Sequence, residues 1–540
     1  MFNKSRLWSY FAVGVLSTLY LGCEAKKAIS AENIVLNYGA FEIDVTVDSL
    51  ETYANTGELE GALDNYAGFL APEQLEQLKV GLMTSADFSH LAIAQFLYSF
   101  QGEQILKRAS RVIKTKARQP GFYAIRSALI LAAADKENGG LTPLNVLKKF
   151  PTKTLRIDSK AGLAIFKDLS RLVQENSKAI AAVENTASLE RQNKLALAPK
   201  VRNLDLLIPG KSRYKKEALM LDDETRKRSF PVDLYLPKIK NTKPLSLIVI
   251  SHGLGSDLTT FDYFAKHLAS HGFAVAVPEH PGSSANQIQS LLTGLDNDVT
   301  PPRELIDRPL DIQFLLDELA QDYAKQIDTN NVGIIGQSFG AYTSLALAGA
   351  ELNWSALERD CNNLNSSWNL SLLLQCLALQ IPEEDSTSDL KDDRIKAAIA
   401  INPLTSSVFG QESLSQIKIP ITIVSGSADT ITPARSEQII PFTWLDTPEK
   451  YLVLLKGGTH FSTLNESAGS IPIPEGAIGP DPKIAQTYIK QLGLAFFGTY
   501  IQNSPKYSSY LNAEYGRVIS KEKMPLSLIE SLDPRSLKLK

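Results

Sequence analysis

Gly336-Gln337-Ser338-Phe339-Gly340 places a serine at the centre of a Gly-x-Ser-x-Gly pattern. The apolar run Asn331-Val332-Gly333-Ile334-Ile335 stands before it, and the helix-forming Ala341-Tyr342-Thr343-Ser344-Leu345-Ala346-Leu347-Ala348 follows. Strand, sharp turn and helix in that order hold a hydroxyl above a sheet edge, beside a helix N-terminus whose N–H groups favour negative charge. The chemistry such a serine performs is acyl transfer through a serine ester. A carboxylate and then a histidine must follow in the chain. The strand-like Ile419-Pro420-Ile421-Thr422-Ile423-Val424 leads into Ser425-Gly426-Ser427-Ala428-Asp429, an acid in a small-residue loop. Tyr451-Leu452-Val453-Leu454-Leu455 leads likewise into Lys456-Gly457-Gly458-Thr459-His460. Upstream, Leu245 to Ile250 precedes Ser251-His252-Gly253-Leu254-Gly255-Ser256, a turn whose backbone can approach a substrate closely. Ser338, Asp429 and His460 are therefore the candidate catalytic residues, and the N–H groups of Leu254 and Phe339 the candidate oxyanion donors.

The other histidines fit less well. His252 is read as orienting the oxyanion turn, and His267 and His271 as packing or surface residues of a helix ending at Gly272. His280, at a strand end in Pro278-Glu279-His280-Pro281-Gly282, is a candidate to line the mouth of the substrate pocket, with a structural role as the alternative. A rival region for the acid, the end of Ile395 to Ile401, carries Asn402, which has no charge to stabilise an imidazolium.

Elements that could position these residues begin near Val201. A hairpin is predicted from Ala218-Leu219-Met220-Leu221 and Val232-Asp233-Leu234-Tyr235-Leu236, then strands at 245–251, 273–277, 331–335, 395–401, 419–425 and 450–455, alternating with helical patterns. That alternation predicts a mostly parallel sheet with helices on both faces, and the reactive residues fall at strand C-termini. Residues 351–392 are an insertion, either a lid or a packed decoration, and a helix is predicted from Ile484 to Gln502. Residues 31–199 hold none of this chemistry and are predicted to form a mostly helical domain and linker. It has one strand near 41–47, helices near 73–82, 90–99, 102–115 and 121–134, and a core stripe of Leu163, Phe166, Leu169 and Val173. The catalytic domain is expected at 200–540.

The chain has 540 residues, 44% apolar, and a net charge of −3 from 56 basic and 59 acidic residues, with no basic stripe or acidic tail. Nucleic acid is not an expected partner, nor is a protein partner; a small-molecule or lipid ester is, with peripheral membrane association left open. Residues 1–30 read as a signal peptide, a short basic start followed by an apolar run too short to span a bilayer comfortably. Export to a periplasm or the exterior is expected, with cleavage after Ala28-Ile29-Ser30. Acylation of Cys23 in the lipobox-like Leu21-Gly22-Cys23 and an uncleaved anchor are the alternatives. Cys361 and Cys376, the remaining cysteines, are then expected to form a disulfide. No Cys-x-x-Cys or His-Glu-x-x-His pattern occurs, so neither a metal site nor a cofactor is expected.

The oxyanion stretch 251–256, the run Leu268-Ala269-Ser270-His271-Gly272-Phe273-Ala274-Val275-Ala276, and Glu279-His280 together resemble the platelet-activating factor acetylhydrolase branch of the α/β-hydrolases. The resemblance covers roughly 215–460, with Gln337 where that branch usually has His before the serine. It implies an α/β-hydrolase fold and a calcium-independent serine esterase that removes short or oxidised acyl chains from phospholipids. That branch takes its acid from the strand end where this chain has Asn402. Asp429 occupies the position used by dienelactone-hydrolase-like and lipase-like relatives. The N-terminal part resembles a helical segment of uncharacterised function found before such hydrolases in some exported bacterial proteins. A polyester or triglyceride hydrolase, a haloperoxidase side activity, and a non-catalytic envelope binding protein on the same scaffold are the other readings.

Overall fold

The computed structural model describes residues 30–537 apart from 39–40, 70, 195–204, 240–242, 363, 365–366 and 466–474. The signal-peptide reading and Cys23 lie outside the described residues. Among the described residues no helix is long and apolar enough to cross a membrane. The chain divides into two compact units, one running to Tyr98 and from Gly102 to Phe166, the other comprising Ser99–Gln101 and everything from Lys167.

The first unit carries a sheet of its own, in the order β2-β1-β4-β3. Its strands are β1 (Asn33–Tyr38), β2 (Phe41–Thr46), β3 (Ile113–Thr115) and β4 (Thr154–Asp158). Helices at Val47–Thr56, Pro72–Met83, His90–Tyr98 and Phe122–Ala134 are among those that accompany it. The buried residues of this unit include Ile34, Val45, Tyr53, Leu106, Ala128 and Phe150. The helix expected over 102–115 stops at Ala109, and its last residues form β3 instead. Ile113-Lys114-Thr115 has β-branched ends, which favour the pleat over the helix.

The second unit is built on a nine-stranded sheet, order β13-β12-β11-β10-β9-β7-β8-β6-β5. The strands are β5 (Tyr214–Asp223), β6 (Arg228–Pro237), β7 (Leu245–Ser251), β8 (Ala274–Pro278), β9 (Ile327–Gln337), β10 (Ile395–Ile401), β11 (Ile421–Gly426), β12 (Lys450–Leu455) and β13 (Leu526–Ile529). Strands β7 to β12 pair in parallel, whereas β5, β6 and β13 run antiparallel to their neighbours. Both faces are covered, and side chains alternate between them: Leu247 and Val249 join one core, Ile248 and Ile250 the other. The chain goes from β7 outward to β8 and then returns to β9 on the opposite side of β7. That reversal opens a crevice between the C-terminal ends of β7 and β9, where open sheets of this kind bind ligands.

Three helices matter for the site. Glu304–Asp322 contains Pro309, which cannot donate to the Leu305 carbonyl one turn back. The Tyr342 hydroxyl donates to that oxygen instead, at 2.7 Å, and its ring stacks on Phe409. Pro482–Tyr500 covers the other face. Ser159–Lys194 is one continuous helix, so the stretch 174–200, whose sequence reads as a polar helix or linker, is helical to residue 194; the two units part at 166/167. Its buried line is Ala179, Val183 and Ala187, each at most 1% exposed in a core of the nine-stranded sheet. The stripe expected to be core is not: Leu163 is 50% exposed, Phe166 66% and Val173 65%. Those residues have helical spacing but face away from the buried line.

His267 sits on the helix Asp262–Ser270 with its ring edge on His271, 4.8 Å between centroids. Burial, with His271 and Lys490 nearby, pushes it down to about 4. Its Nε2 has no hydrogen-bond partner to receive a second proton's N–H among the described residues. The unfolded chain takes up that proton near pH 6.5 and the folded chain only near 4, so stability present above 6.5 is lost as the pH falls between those values. Between pH 7.5 and 5 the His267→Phe variant is expected to lose about 2 kcal/mol less unfolding free energy than the native chain. Urea melts at the two pH values measure this, and equal losses would show that His267 is not the group responsible.

Candidate active site

The turn after β9 is forced by its neighbours. A Cβ on Gly336 would overlap the Gly340 carbonyl, and one on Gly340 would overlap the Ser251 carbonyl. Ser338 between them has φ 55°, a left-handed conformation unusual outside glycine, and its N–H is held by the Ile401 carbonyl at 2.8 Å. The helix Phe339–Leu347 starts at the next residue.

The structure brings Ser338, Asp429 and His460 together from the ends of β9, β11 and β12. His460 Nε2 lies 2.9 Å from Ser338 Oγ, and His460 Nδ1 lies 2.7 Å from Asp429 Oδ2. All three are nearly buried, at 7%, 5% and 5% exposed respectively. Asp429 is held by its own loop: Oδ1 accepts the N–H groups of Ile431 and Thr432, both at 2.8 Å, and Oδ2 accepts the Thr432 hydroxyl at 2.8 Å. With Oδ2 accepting from Nδ1–H, Nε2 is left as the acceptor facing the serine hydroxyl. The histidine loop is braced from behind, the Gln337 amide donating to the His460 carbonyl at 3.0 Å. Asn402 does related work, its Oδ1 accepting the Gly426 N–H at 3.0 Å and its Nδ2 facing the Thr459 and His460 carbonyls at 3.4 Å.

Leu254 and Phe339 flank the same crevice, at the ends of β7 and β9; Phe339 is fully buried and Leu254 half-buried. His280 requires a correction. It is fully buried, and so cannot line a pocket mouth. Its Nδ1 donates to Asp311 at 2.8 Å, its Nε2 faces the Ser251 hydroxyl at 3.0 Å, and its backbone N–H donates to His252 Nε2 at 2.9 Å. His252 then donates from Nδ1 to the Gly253 carbonyl at 2.7 Å. Burial and the Arg308 charge hold both imidazoles well below their ordinary pKa, and so neutral.

Sequence reasoning missed the centre of this network. Arg308, fully buried, donates to Thr343 Oγ1 at 3.0 Å, Ser283 Oγ at 2.6 Å, Ser251 Oγ at 3.1 Å and the His252 carbonyl, and its guanidinium lies 4.6 Å from the Phe339 ring centroid. Glu304 accepts from Ser283 and pairs with Arg228; Asp311 pairs with Arg226 and Arg228. The available signal was Glu304, Arg308 and Asp311 at helical spacing within the apolar run Leu305, Ile306, Ile312, Leu315. Charges on the side of a helix that its apolar residues bury must pair inside.

The insertion at 351–392 carries the disulfide Cys361–Cys376, with Cα atoms 5.7 Å apart. Gln375 Oε1 accepts the N–H groups of Ser407 and Val408 at 2.9 and 2.8 Å, and the buried Glu437 receives Asn369 and Gln375 from the insertion. These contacts tie the insertion to the loops after β10 and β11. No group of side chains suited to hold a metal ion occurs among the described residues.

Residues 30–158 match the family described as alpha/beta hydrolase of unknown function (DUF1400), and residues 242–357 match the family described as serine aminopeptidase. The first match falls on the unit that precedes the nine-stranded sheet, the second on β7 through the turn at Ser338 and its helix. The platelet-activating factor acetylhydrolase of Cavia porcellus is 21% identical over 345 residues, 54% of this chain and 66% of that protein. The chain thus spans a little under two thirds of that relative's length.

Proposed function

The chain belongs to the α/β-hydrolase superfamily, and from that premise we propose that it is an exported serine hydrolase of carboxylic esters acting through an acyl-enzyme. One observation carries this reading: the unbroken hydrogen-bond chain Ser338–His460–Asp429 at the C-terminal edge of the sheet. In the proposed reaction the Ser338 oxygen attacks the ester carbonyl as its proton passes to His460 Nε2. Asp429 holds the Nδ1–H tautomer and stabilises the imidazolium. The N–H groups of Leu254 and Phe339 receive the oxyanion, each worth on the order of 10²–10³ in rate. His460 gives its proton to the leaving alkoxide, and water cleaves the acyl-enzyme by the same route.

The acetylhydrolase likeness supports a lipid ester as substrate, and the disulfide suits the oxidising compartment an exported chain meets. A binding protein on a retired scaffold would have no need of an intact hydrogen-bonded set of this kind. The test is a fluorophosphonate probe on the purified chain: one equivalent is expected to bind, on the peptide containing Ser338, and to abolish hydrolysis of p-nitrophenyl esters. Labelling elsewhere with hydrolysis intact would refute the assignment.

A further inference from the structure

A cleft of about 1160 Å³ opens beside Asp429, along the C-terminal ends of β10 and β11. Leu169, Leu172 and Val173 line it from the long helix, and Trp368 and Leu370 from the insertion. The helix is upstream of the residues that match a hydrolase family on this sheet, yet it is fixed to the loop that carries Asp429. Asn176 Nδ2 donates to the Ser427 carbonyl at 3.2 Å, and Asn176 Oδ1 accepts the Arg435 N–H at 3.0 Å. Glu184, the residue after the buried Val183, pairs with Lys456 at 2.8 Å. With the insertion anchored through Gln375 and Glu437, both walls are held by polar contacts that do not depend on the cleft being filled.

The cleft's chemistry selects among ester substrates. Its three arginines are already paired: Arg171 with Asp168 at 3.3 Å, Arg359 with Asp360 at 2.9 Å, Arg435 with Glu175 at 3.4 Å. An anionic group would have to compete with a carboxylate at each. An aliphatic chain, in contrast, would cover apolar side chains that now face water, Leu169 at 38% and Val173 at 65% exposed among them. The volume exceeds the roughly 300–1,000 Å³ of ordinary small-ligand sites, and an acetyl group would leave nearly all of it unused.

We infer that this cleft takes the long aliphatic chain of the ester substrate, and that the helix 167–194 is the wall that sets chain-length preference. The inference rests on the ester-hydrolase reading and names its substrate class: long-chain carboxylic esters rather than acetyl esters. Each methylene moved from water onto an apolar wall is worth at most about fourfold.

The experiment compares p-nitrophenyl acetate with p-nitrophenyl laurate on the purified full chain. The native chain is expected to show kcat/KM at least tenfold higher for laurate. In the Leu172→Asp/Val173→Asp double variant, which alters only solvent-facing positions of the helix, the laurate-to-acetate ratio falls at least tenfold while acetate hydrolysis remains measurable. Ser177→Trp, which fills the cleft from the same helix, moves the optimum to shorter chains. If the ratio is the same in all three proteins while Ser338 takes the fluorophosphonate label in each, the cleft assignment is overturned and the esterase reading stands. If the native chain hydrolyses neither ester and takes no label, the esterase reading falls and the cleft assignment with it.

Discussion

Ser338→Ala is expected to lower ester hydrolysis by about 10⁶ without altering the thermal melt, because the hydroxyl makes one hydrogen bond, to His460, and the turn is set by Gly336 and Gly340. The more discriminating variant is Asp429→Asn, for which about 10⁴ is expected to be lost. An asparagine amide in place of Oδ2 donates toward Nδ1, which makes Nδ1 the acceptor and puts the imidazole proton on Nε2, facing the serine. His460 can then no longer take the serine proton. Resemblance to the acetylhydrolase branch would put the acid at Asn402 instead, and geometry opposes that. Asn402 turns its amide to the carbonyls of Thr459 and His460, whereas His460 Nδ1 points at Asp429, 2.7 Å away. A carboxylate at 402 would face carbonyl oxygens, so Asp429→Asn/Asn402→Asp is expected to stay as inactive as Asp429→Asn alone. Steady-state rates on a short ester measure all three variants. Native activity in Asp429→Asn, or its recovery in the double variant, would move the acid to another residue.

What could be read in advance follows the strength of the local signal. Strands β7, β10 and β12 have the predicted bounds because each has a continuous apolar core, Leu247–Ile250, Ala397–Ile401 and Tyr451–Leu455, the mark of a strand buried on both faces. The loop that carries His460 follows from the end of β12, and the apolar cores of β9 and β11 likewise point to the loops that carry Ser338 and Asp429. Strand β13 escaped because Leu526-Ser527-Leu528-Ile529 is four residues at a sheet edge, defined by its pairing with β12 rather than by its own pattern. The stripe Leu163–Val173 misled because helical spacing identifies an apolar face without saying what lies against it. His280 misled for a related reason. A strand end on the reactive side predicts proximity to the site, but depth depends on a partner, Asp311, contributed by a helix 31 residues further along the chain.

Arg308 is the residue through which that helix reaches the reaction. It is expected to behave as a positioning residue, because it touches both segments that would supply the oxyanion donors: the His252 carbonyl, one peptide before Gly253 and Leu254, and the ring of Phe339. Burial pushes its pKa down to about 9, so it stays charged at neutral pH, and Glu304 and Asp311 are the carboxylates that compensate it. Arg308→Met leaves buried carboxylates short of a cation and four oxygen acceptors short of a donor. A loss of about 3–5 kcal/mol of stability is expected, read as a lowered urea midpoint. Arg308→Lys separates positioning from stability. Lysine keeps the charge but lacks the planar fork that spans Thr343, Ser283, Ser251 and the His252 carbonyl together. The expected result is a folded protein whose kcat on a short ester falls at least tenfold with KM little changed. A loosened oxyanion turn weakens the transition state more than the bound ester. A merely structural arginine would leave kcat untouched wherever the lysine variant remains folded. Native kcat in Arg308→Lys, measured well below its melting temperature, would therefore detach Arg308 from catalysis and leave it a role in stability alone.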